Sequence, residues 1–216
     1  MGHDWVIIPG YNEQKHISKV VQDTFSFCDN VIVVDDGSTD DTSKNAGRAI
    51  VLRHIVNLGK GAALRTGVEY AISRGAKRIV FLDSDGQHDP AMIPEFLENL
   101  KHNDIVFGYR KLSGKMPFVL RFGNWFINTV TSILFSIRLK DTQSGYRAFN
   151  TEIYEDIKWN SADYSVETEI IANVGRKKLK YKEIPIATIY ADKYKGTTVL
   201  DGIKIVMNMI IWRFTR

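Results

Sequence analysis

Short apolar segments and longer segments of helical periodicity alternate along the first half of the chain. Runs of β-favouring apolar residues occupy positions 4–9, 31–34, 49–53, 79–82 and 104–108. Between the first two runs, apolar residues recur at helical spacing, as in Ile17, Val20, Val21 and Phe25, which is the periodicity of an amphipathic helix. Strands that alternate with helices in this way predict an α/β fold, with a doubly wound, mostly parallel sheet flanked by helices.

The second half of the chain has a different pattern. Residues 116–140 are apolar around most of a helical circumference but contain many small polar residues. This pattern fits a core helix packed on the sheet, or an amphipathic interfacial helix with Trp and Arg side chains at the level of lipid headgroups. Residues 199–216 predict a second interfacial helix or a docking helix, because one face is apolar and the end is aromatic and basic. Residues 166–176 predict a helix, and residues 179–189 predict a strand pair in which Pro185 lies at an edge or a bulge.

Length and composition narrow the possible classes of protein. The 216 residues are enough for one well-cored domain, and we expect a single domain over residues 1–216. Cys28 is the only cysteine, so an intramolecular disulfide is excluded and a reducing, cytoplasmic compartment is expected. A formal net charge of +4 suits phosphorylated ligands or an anionic membrane surface, but it is too small to indicate nucleic acid binding. No uncharged apolar run reaches the roughly 20 residues of a membrane span.

A polar turn follows the fourth predicted strand and contains candidate ligands for a metal ion. Asp83, Asp85 and Gln87 come directly after the apolar run, at the edge of an α/β sheet where ligands bind. Carboxylate and amide oxygens suit a hard cation such as Mg²⁺ or Mn²⁺. Asp and Gly are also common turn formers, and we accept that explanation for Asp89, the expected cap of the helix that starts at Pro90. Asp83 and Asp85 repel each other, which favours a compensating cation.

Two further turns suggest a phosphorylated ligand. The second predicted strand ends in another acidic turn, residues 35–40. The loop at residues 57–63 is rich in glycine, carries Lys60 and leads into a helix. Free N–H groups at a helix start, together with a lysine, suit a phosphate. This loop matches neither the dinucleotide fingerprint nor the P-loop, so it is a weak signal by itself.

Six motifs, in one order along the chain, carry a resemblance to a known family. They read IPGYNE at 8–13, VDDGSTD at 34–40, NLGKGAALRTG at 57–67, DSDGQHDP at 83–90, GYR at 108–110 and DTQSGYRAF at 141–149. Together they resemble the family-2 glycosyltransferases of the GT-A fold and, more narrowly, the polyprenyl-phosphate (dolichyl-phosphate) mannose and glucose synthases.

The resemblance implies that a nucleotide sugar and a divalent cation, Mg²⁺ or Mn²⁺, bind at the carboxyl edge of the sheet. The residues that match the nucleotide-sugar site, to which we add Lys60 as a phosphate contact, are Pro9, Tyr11, Glu13, Val34, Asp36, Asp83 and Ser84. The metal-side positions are Asp83, Asp85 and Gln87. The positions beside the acceptor phosphate are Arg110, Ser144 and Arg147, and more approximately Lys193 and Lys195 of a basic C-terminal loop.

The implied chemistry is the transfer of a hexose. Asp85, with a divalent cation, is expected to stabilise the leaving diphosphate, while Arg110 and Arg147 orient an acceptor phosphate. A phosphate monoester carries about −1.5 to −2 charge near neutral pH, so it needs little help from a general base. We therefore expect an inverting transferase that moves a hexose from UDP-glucose or GDP-mannose to a polyprenyl (dolichyl) phosphate. It would work at the cytoplasmic, inner face of a membrane, as a peripheral protein or with a membrane-protein partner.

Two alternatives stay open on the sequence. A family-2 glycosyltransferase that acts on a soluble glycan or a protein hydroxyl would use Asp141 as a base and would not bind membranes. A non-catalytic nucleotide-sugar-binding protein would bind donor and metal without consuming either, since a fold does not determine a function.

Overall fold

The computed structural model describes residues 3–110, 118–187, 206–209 and 211–213. In this part of the chain seven strands form one sheet: β1 (Asp4–Gly10), β2 (Val31–Asp35), β3 (Ile50–Arg53), β4 (Arg78–Phe81), β5 (Ile105–Arg110), β6 (Arg147–Asn150) and β7 (Tyr181–Ile186). Their spatial order is β3-β2-β1-β4-β6-β5-β7. β6 is antiparallel to both of its neighbours, and the other neighbouring pairs are parallel. The predicted mostly parallel α/β sheet is therefore confirmed.

Helices cover both faces of this sheet. They are α1 (Ile17–Thr24), α2 (Thr42–Asn45), α3 (Lys60–Ser73), α4 (Ile93–Asn99), α5 (Phe118–Phe135), α6 (Tyr154–Ile157) and α7 (Val166–Lys177). Successive residues of β1 point to opposite faces, so Ile7 joins the core formed with α3, α5 and α7, while Val6 and Ile8 join the core formed with α1 and α4. Strands buried on both faces explain why the sequence shows continuous apolar runs.

Two strand predictions need correction. The DTQSGYRAF motif at 141–149 reads as a loop in the sequence, but its residues 147–149, with Asn150, form β6, which inserts between β4 and β5. A four-residue strand directly after a polar run has too short a pattern to be recognised. The strand pair predicted for residues 179–189 is one strand, β7, over the described residues. Pro185 lies in this edge strand opposite Tyr109, as predicted, because an edge strand tolerates a missing N–H.

Helix α5 packs against the sheet on one side, as expected for a core helix, and is exposed on another side. Ile127 and Phe135 are buried in the core, whereas Trp125 is 60% exposed and Ile133 74% exposed. The helix ends at Phe135 and not near residue 140, because Ser136 adopts a positive φ of 56°. Residues 206–209 and 211–213 are helical, as predicted for the C-terminal segment. No described helix has both the length and the hydropathy needed to cross a bilayer.

Candidate active site

The carboxyl ends of the parallel strands bring the predicted site residues to one edge of the sheet. β1, β2 and β4 run in the same direction and end at Gly10, Asp35 and Phe81. β5 shares this direction, because β4 and β5 are both antiparallel to β6, and it ends at Arg110. β6 starts at the same edge, where Arg147 pairs with Phe81. The acidic turn after β4, the end of β5 and the loop before β6 therefore converge.

Lys60 joins the acidic turn to helix α7. Its Nζ atom lies 2.6 Å from Asp83 Oδ1 and 2.8 Å from Glu167 Oε1. Burial opposes the charge of Lys60, but the two carboxylates outweigh burial and hold the pKa of Lys60 above its usual value. Burial also opposes the charge of Asp83, but Lys60 and His88 hold the pKa of Asp83 well below its usual range. Lys60 and Asp83 are therefore both charged at neutral pH.

Gly145 packs directly against the Lys60–Asp83 pair. A Cβ atom at this position would lie 2.6 Å from Asp83 Oδ2 and 2.8 Å from Lys60 Nζ. These distances are shorter than any normal contact of a Cβ atom, so a side chain here would displace the ion pair. The loop at residues 141–146 therefore contacts the acidic turn through its backbone.

Arg147 stabilises this loop through a hydrogen bond to its backbone. Its Nη2 group donates a hydrogen bond to the carbonyl oxygen of Ser144 at 2.6 Å, and its Nη1 group donates to the carbonyl oxygen of Glu167 at 3.0 Å. The side chain is 1% exposed, and its Cζ atom lies 5.4 Å from the centre of the Phe107 ring. The sequence predicted Arg147 and Ser144 beside an acceptor phosphate; the structure places the Arg147 guanidinium where it fixes the backbone of Ser144 and of Glu167. Lys193 and Lys195 lie outside the described residues.

The glycine-rich start of α3 does not offer the phosphate cradle that the sequence suggested. The N–H groups of Gly61 and Ala62 both donate to the carbonyl oxygen of Ala162, at 2.7 and 3.3 Å. A Cβ atom at Gly59 would lie 2.4 Å from the same oxygen. The glycines therefore allow a close approach by the protein's own segment around residue 162. The prediction of free N–H groups at this helix start is wrong, whereas Lys60 itself does reach the site.

The acidic turn is held in shape by its own backbone. Asp85 Oδ1 accepts a hydrogen bond from the N–H of Gln87 at 2.9 Å, and Gly86 between them has a φ of 74°. Ser84 is buried. Asp89 accepts a hydrogen bond from Ala91 N–H and caps the short helix at Pro90, as predicted. The turn thus orients Asp85 with one carboxylate oxygen, Oδ1, in a backbone contact.

The donor set of this turn fits a divalent cation that is bound together with phosphates. Among the described residues no group of three or more His, Cys, Asp or Glu side chains could hold a metal ion. A Mg²⁺ ion in a nucleotide site needs only one or two protein carboxylates, because phosphate oxygens and waters complete its octahedral shell. Asp83 and Asp85 provide that number.

The predicted nucleotide residues lie at the ends of β1 and β2. Pro9 and Val34 are buried partners in adjacent strands, and Tyr11 beyond them is 46% exposed. The N–H of Glu13 donates to Thr42 Oγ1 at 2.8 Å. Of these residues, Pro9 and Val34 are buried in the sheet, and the side chain of Tyr11 is available at the surface.

Asp36 has a different part in this region. Its carboxylate accepts hydrogen bonds from the N–H groups of Leu58 at 3.0 Å and Gly59 at 2.7 Å, and it lies 2.7 Å from His54 Nδ1. The side chain is only 3% exposed. Asp36 thus fixes the loop at residues 54–59, which lies beside the ends of β1 and β2.

Arg110 and Asp141 form a second ion pair at the same edge. Arg110 Nε donates to Asp141 Oδ2 at 2.7 Å, and Arg110 Nη2 donates to Asp141 Oδ1 at 3.1 Å. The N–H of Gln143 also donates to Asp141 Oδ1, at 3.0 Å. This planar, bidentate contact fixes the orientation of the guanidinium. Asp141 is 4% exposed and fully engaged, an arrangement typical of an orienting group.

Helix α5 is tied to the same loop. Asn128 Oδ1 accepts hydrogen bonds from the N–H of Thr142 at 3.2 Å and from its hydroxyl at 2.7 Å. Asn128 Nδ2 donates to the carbonyl oxygen of Lys140 at 2.8 Å. Among the described side chains of this helix and of the C-terminal helical segment, the large apolar ones exposed to solvent are Trp125, Phe126, Ile133, Met207 and Ile211. An exposed apolar surface is therefore connected directly to the loop of Asp141, the partner of Arg110.

Sequence reasoning missed the role of Glu167. It lies in the first turn of α7, in the stretch VETEII, and it is 5% exposed. A usable signal existed: two glutamates two positions apart are surrounded by apolar residues, and a buried glutamate requires a partner. Glu169, the second one, accepts hydrogen bonds from the N–H groups of Asn160 and Ser161.

Comparison with known proteins gives a consistent picture. The chain is 36% identical over 96% of its length to an uncharacterized protein of Methanocaldococcus jannaschii, and the match covers 90% of that protein. It is 32% identical, over 96% of this chain and 94% of the relative, to a protein of Methanococcus voltae named UDP-N-acetylglucosamine–dolichyl-phosphate N-acetylglucosaminyltransferase.

Solved structures agree on the fold. Glucosyl-3-phosphoglycerate synthase from Mycobacterium tuberculosis, crystallised with Mn²⁺, UDP and phosphoglyceric acid, superposes with a TM-score of 0.72 at 20% identity, over 97% of this chain and 78% of that one. The model of the family described as Glycosyl transferase family 2 matches residues 5–164. The sheet, the acidic turn at its carboxyl edge and these matches agree, and the chain belongs to glycosyl transferase family 2.

Proposed function

We propose that this glycosyltransferase moves a hexose or an N-acetylhexosamine from a nucleoside-diphosphate sugar to a polyprenyl phosphate. Transfer takes place at a membrane surface, with inversion at the anomeric carbon. The observation that carries the proposal is that Asn128 connects helix α5 to the loop of Asp141, which orients Arg110. An oriented arginine beside an exposed apolar helix suits an acceptor with a phosphate head and a hydrocarbon tail. The name of the Methanococcus relative supports the same acceptor class.

The donor side is the acidic turn and its neighbours. Asp85, with Asp83 beside it, would hold Mg²⁺ or Mn²⁺, an ion that offsets the negative charge of a leaving nucleoside diphosphate. Tyr11 and the loop fixed by Asp36 border the region that the family resemblance assigns to the nucleoside. Solved structures of the same fold contain UDP with Mn²⁺ or Mg²⁺, which supports this choice of donor and ions.

The acceptor side is the Arg110–Asp141 pair. Asp141 orients the guanidinium, so Arg110 can direct donors towards a phosphate. An oxygen of the acceptor phosphate forms a bond to the anomeric carbon as the bond from that carbon to the diphosphate oxygen breaks. The acceptor is already an anion, so this step requires no general base. Asp141 thus acts on Arg110 and has no proton to remove.

Transfer of radiolabelled sugar tests the proposal. The purified chain is incubated with dolichyl phosphate, Mn²⁺ and one labelled donor at a time: UDP-N-acetylglucosamine, UDP-glucose or GDP-mannose. We expect an organic-extractable product from one donor, lost on addition of EDTA. Nucleoside diphosphate release without a lipid product would support a soluble acceptor, and donor binding without any release would support a non-catalytic protein.

Vesicle binding tests the membrane part separately. Trp125→Ala should weaken co-sedimentation with vesicles that contain phosphatidylglycerol, because it removes an exposed aromatic side chain from α5. Phe27→Ala is the matched control, since Phe27 is also exposed, at 41%, but follows α1 on the opposite face of the sheet. Equal binding of wild type and Trp125→Ala would contradict a membrane role for this helix.

A further inference from the structure

Glu167 is a buried carboxylate with one unused oxygen. Oε1 contacts Lys60 Nζ at 2.8 Å, but Oε2 is buried and has no hydrogen-bond partner among the described residues. A buried carboxylate oxygen without a partner is unfavourable for folding. Lys60 contacts the Glu167 carboxylate directly, and the buried guanidinium of Arg147 also attracts it. Packing by itself gives no reason for a charged side chain here.

Lys60 cannot neutralise both of its neighbours. One ammonium group contacts two carboxylates, Asp83 and Glu167, so this trio carries one net negative charge. The buried guanidinium of Arg147 attracts both carboxylates, but it donates hydrogen bonds to the backbone carbonyl oxygens of Ser144 and Glu167. Asp85 lies two residues after Asp83 and adds a second negative charge to the turn.

Lys60 and a divalent cation compete for the same carboxylate. Lys60 Nζ already lies 2.6 Å from Asp83 Oδ1. If the residue at 167 were neutral, the ammonium would belong to Asp83 alone and would cancel its charge. Because Glu167 shares the ammonium, the Asp83 carboxylate keeps part of its attraction for a cation.

We propose that Glu167 is a positioning residue that sets the cation affinity of the acidic turn through Lys60. The inference rests on the proposed function, since it concerns the divalent cation that accompanies a nucleoside diphosphate. Lys60 gives the acidic turn a positive charge that competes with a metal ion, and Glu167 shares this ammonium with Asp83. The two residues then have opposite effects on the same equilibrium.

Mn²⁺ affinity measures these effects directly. The signal of free Mn²⁺ is followed by electron paramagnetic resonance as the ion is titrated into protein with UDP, and again with GDP. Glu167→Gln keeps the shape of the side chain and an oxygen for Lys60 but removes the charge, so Mn²⁺ binding should weaken about tenfold. Lys60→Met keeps most of the apolar stem and removes the competing cation, so Mn²⁺ binding should strengthen by a similar factor.

Two further variants separate charge from shape. Glu167→Asp keeps the charge with a shorter stem, and its Mn²⁺ affinity should stay within about twofold of wild type. Glu155→Gln is the surface control, because the Glu155 side chain in α6 is 79% exposed, and it should change nothing. Circular dichroism confirms that each variant is folded.

Each outcome decides the proposal. Opposite shifts for Glu167→Gln and Lys60→Met support it, because loss of structure would weaken binding in both. Equal affinities in all variants, weakening in both, or equal losses in Glu167→Gln and Glu167→Asp would overturn it. Absence of Mn²⁺ binding to the wild type with either nucleotide would instead overturn the proposed metal-dependent transfer, which is a distinguishable result.

Discussion

Two ion-pair clusters lie side by side at the carboxyl edge of the sheet, and they balance charge differently. On the proposed acceptor side, one guanidinium meets one carboxylate in a planar contact, with distances of 2.7 and 3.1 Å between Arg110 and Asp141. On the proposed donor side, the ammonium of Lys60 is shared by Asp83 and Glu167. The first cluster is neutral and has a fixed direction, whereas in the second one ammonium serves two carboxylates, with the Arg147 guanidinium nearby. An oriented cation suits an anionic acceptor, and an anionic turn suits a metal-bound donor.

The strongest test of the donor side is the charge of the acidic turn itself. Asp85→Asn should lower transfer activity about a thousandfold, because it removes a carboxylate from the expected cation site. The matched control is Asp89→Asn on the same turn, since asparagine also caps a helix. Initial rates with saturating Mn²⁺ measure both. Full activity in Asp85→Asn would contradict the assignment of the turn to the cation.

The proposed acceptor side is tested by a substitution that changes the hydrogen-bond geometry of Arg110 but keeps its positive charge. Arg110→Lys keeps the positive charge but loses the planar contact with Asp141, so kcat/KM for the lipid acceptor should fall about a hundredfold. Arg78→Lys is the control, because Arg78 makes a similar bidentate contact with Asp4, at 2.5 and 2.8 Å, at the other edge of the sheet. A loss of the same size in Arg78→Lys would show that Arg110 acts only on stability.

The contact between the two clusters is tested at Gly145. Gly145→Ala should lower activity about tenfold, because the new Cβ atom displaces Lys60 and Asp83 from their present positions. Gly75→Ala has no neighbour within 4 Å of the added atom but has a φ of 84°, so it should cost about 1 kcal/mol of stability without a loss of activity. Urea unfolding and steady-state rates together separate the two effects. Activity of Gly145→Ala equal to wild type would break the link between loop and turn.

The smallest expected effect is on the pH dependence of stability. The pKa of Asp83 is lower in the folded protein than in the unfolded chain, so its contribution is present above the unfolded pKa of about 3.9 and is lost as the pH falls below it. The loss per group is at most about 1.4 kcal/mol per pH unit. Asp83→Asn should therefore show a flatter decline of the unfolding free energy below pH 4. Parallel curves for the two proteins would contradict the depressed pKa.

The buried strands and the acidic turn were predictable because their signals are local. The runs before Asp35 and Asp83 are continuous and apolar, and the turns that follow them combine carboxylates with glycine. The partners of these carboxylates were not predictable in the same way. Lys60 contacts Glu167, which lies more than a hundred residues later in the chain. Neither periodicity nor motif spacing predicts such a long-range contact.

The glycines of residues 57–63 show a second limit. Glycine indicates that something approaches the backbone closely, and the sequence suggested a phosphate. In the structure the approaching group is the carbonyl oxygen of Ala162. Arg147 shows the same limit, because an arginine in a polar loop looks exposed until the fold buries it against Phe107. Local patterns identify that a contact exists, and tertiary structure identifies the partner.

The insertion of β6 has a consequence for how the chain folds during synthesis. β4 and β5 flank β6 in the sheet, yet both precede it in the chain. Until residue 150 leaves the ribosome, β4 is therefore an open edge of the sheet formed with β1, β2 and β3, with unpaired backbone groups that can join another chain. β6, which covers this edge, directly follows the loop at residues 141–146 of the candidate active site. Insertion of β6 into the sheet and assembly of the candidate active site are therefore coupled, and both occur after β1 to β5 have been synthesised.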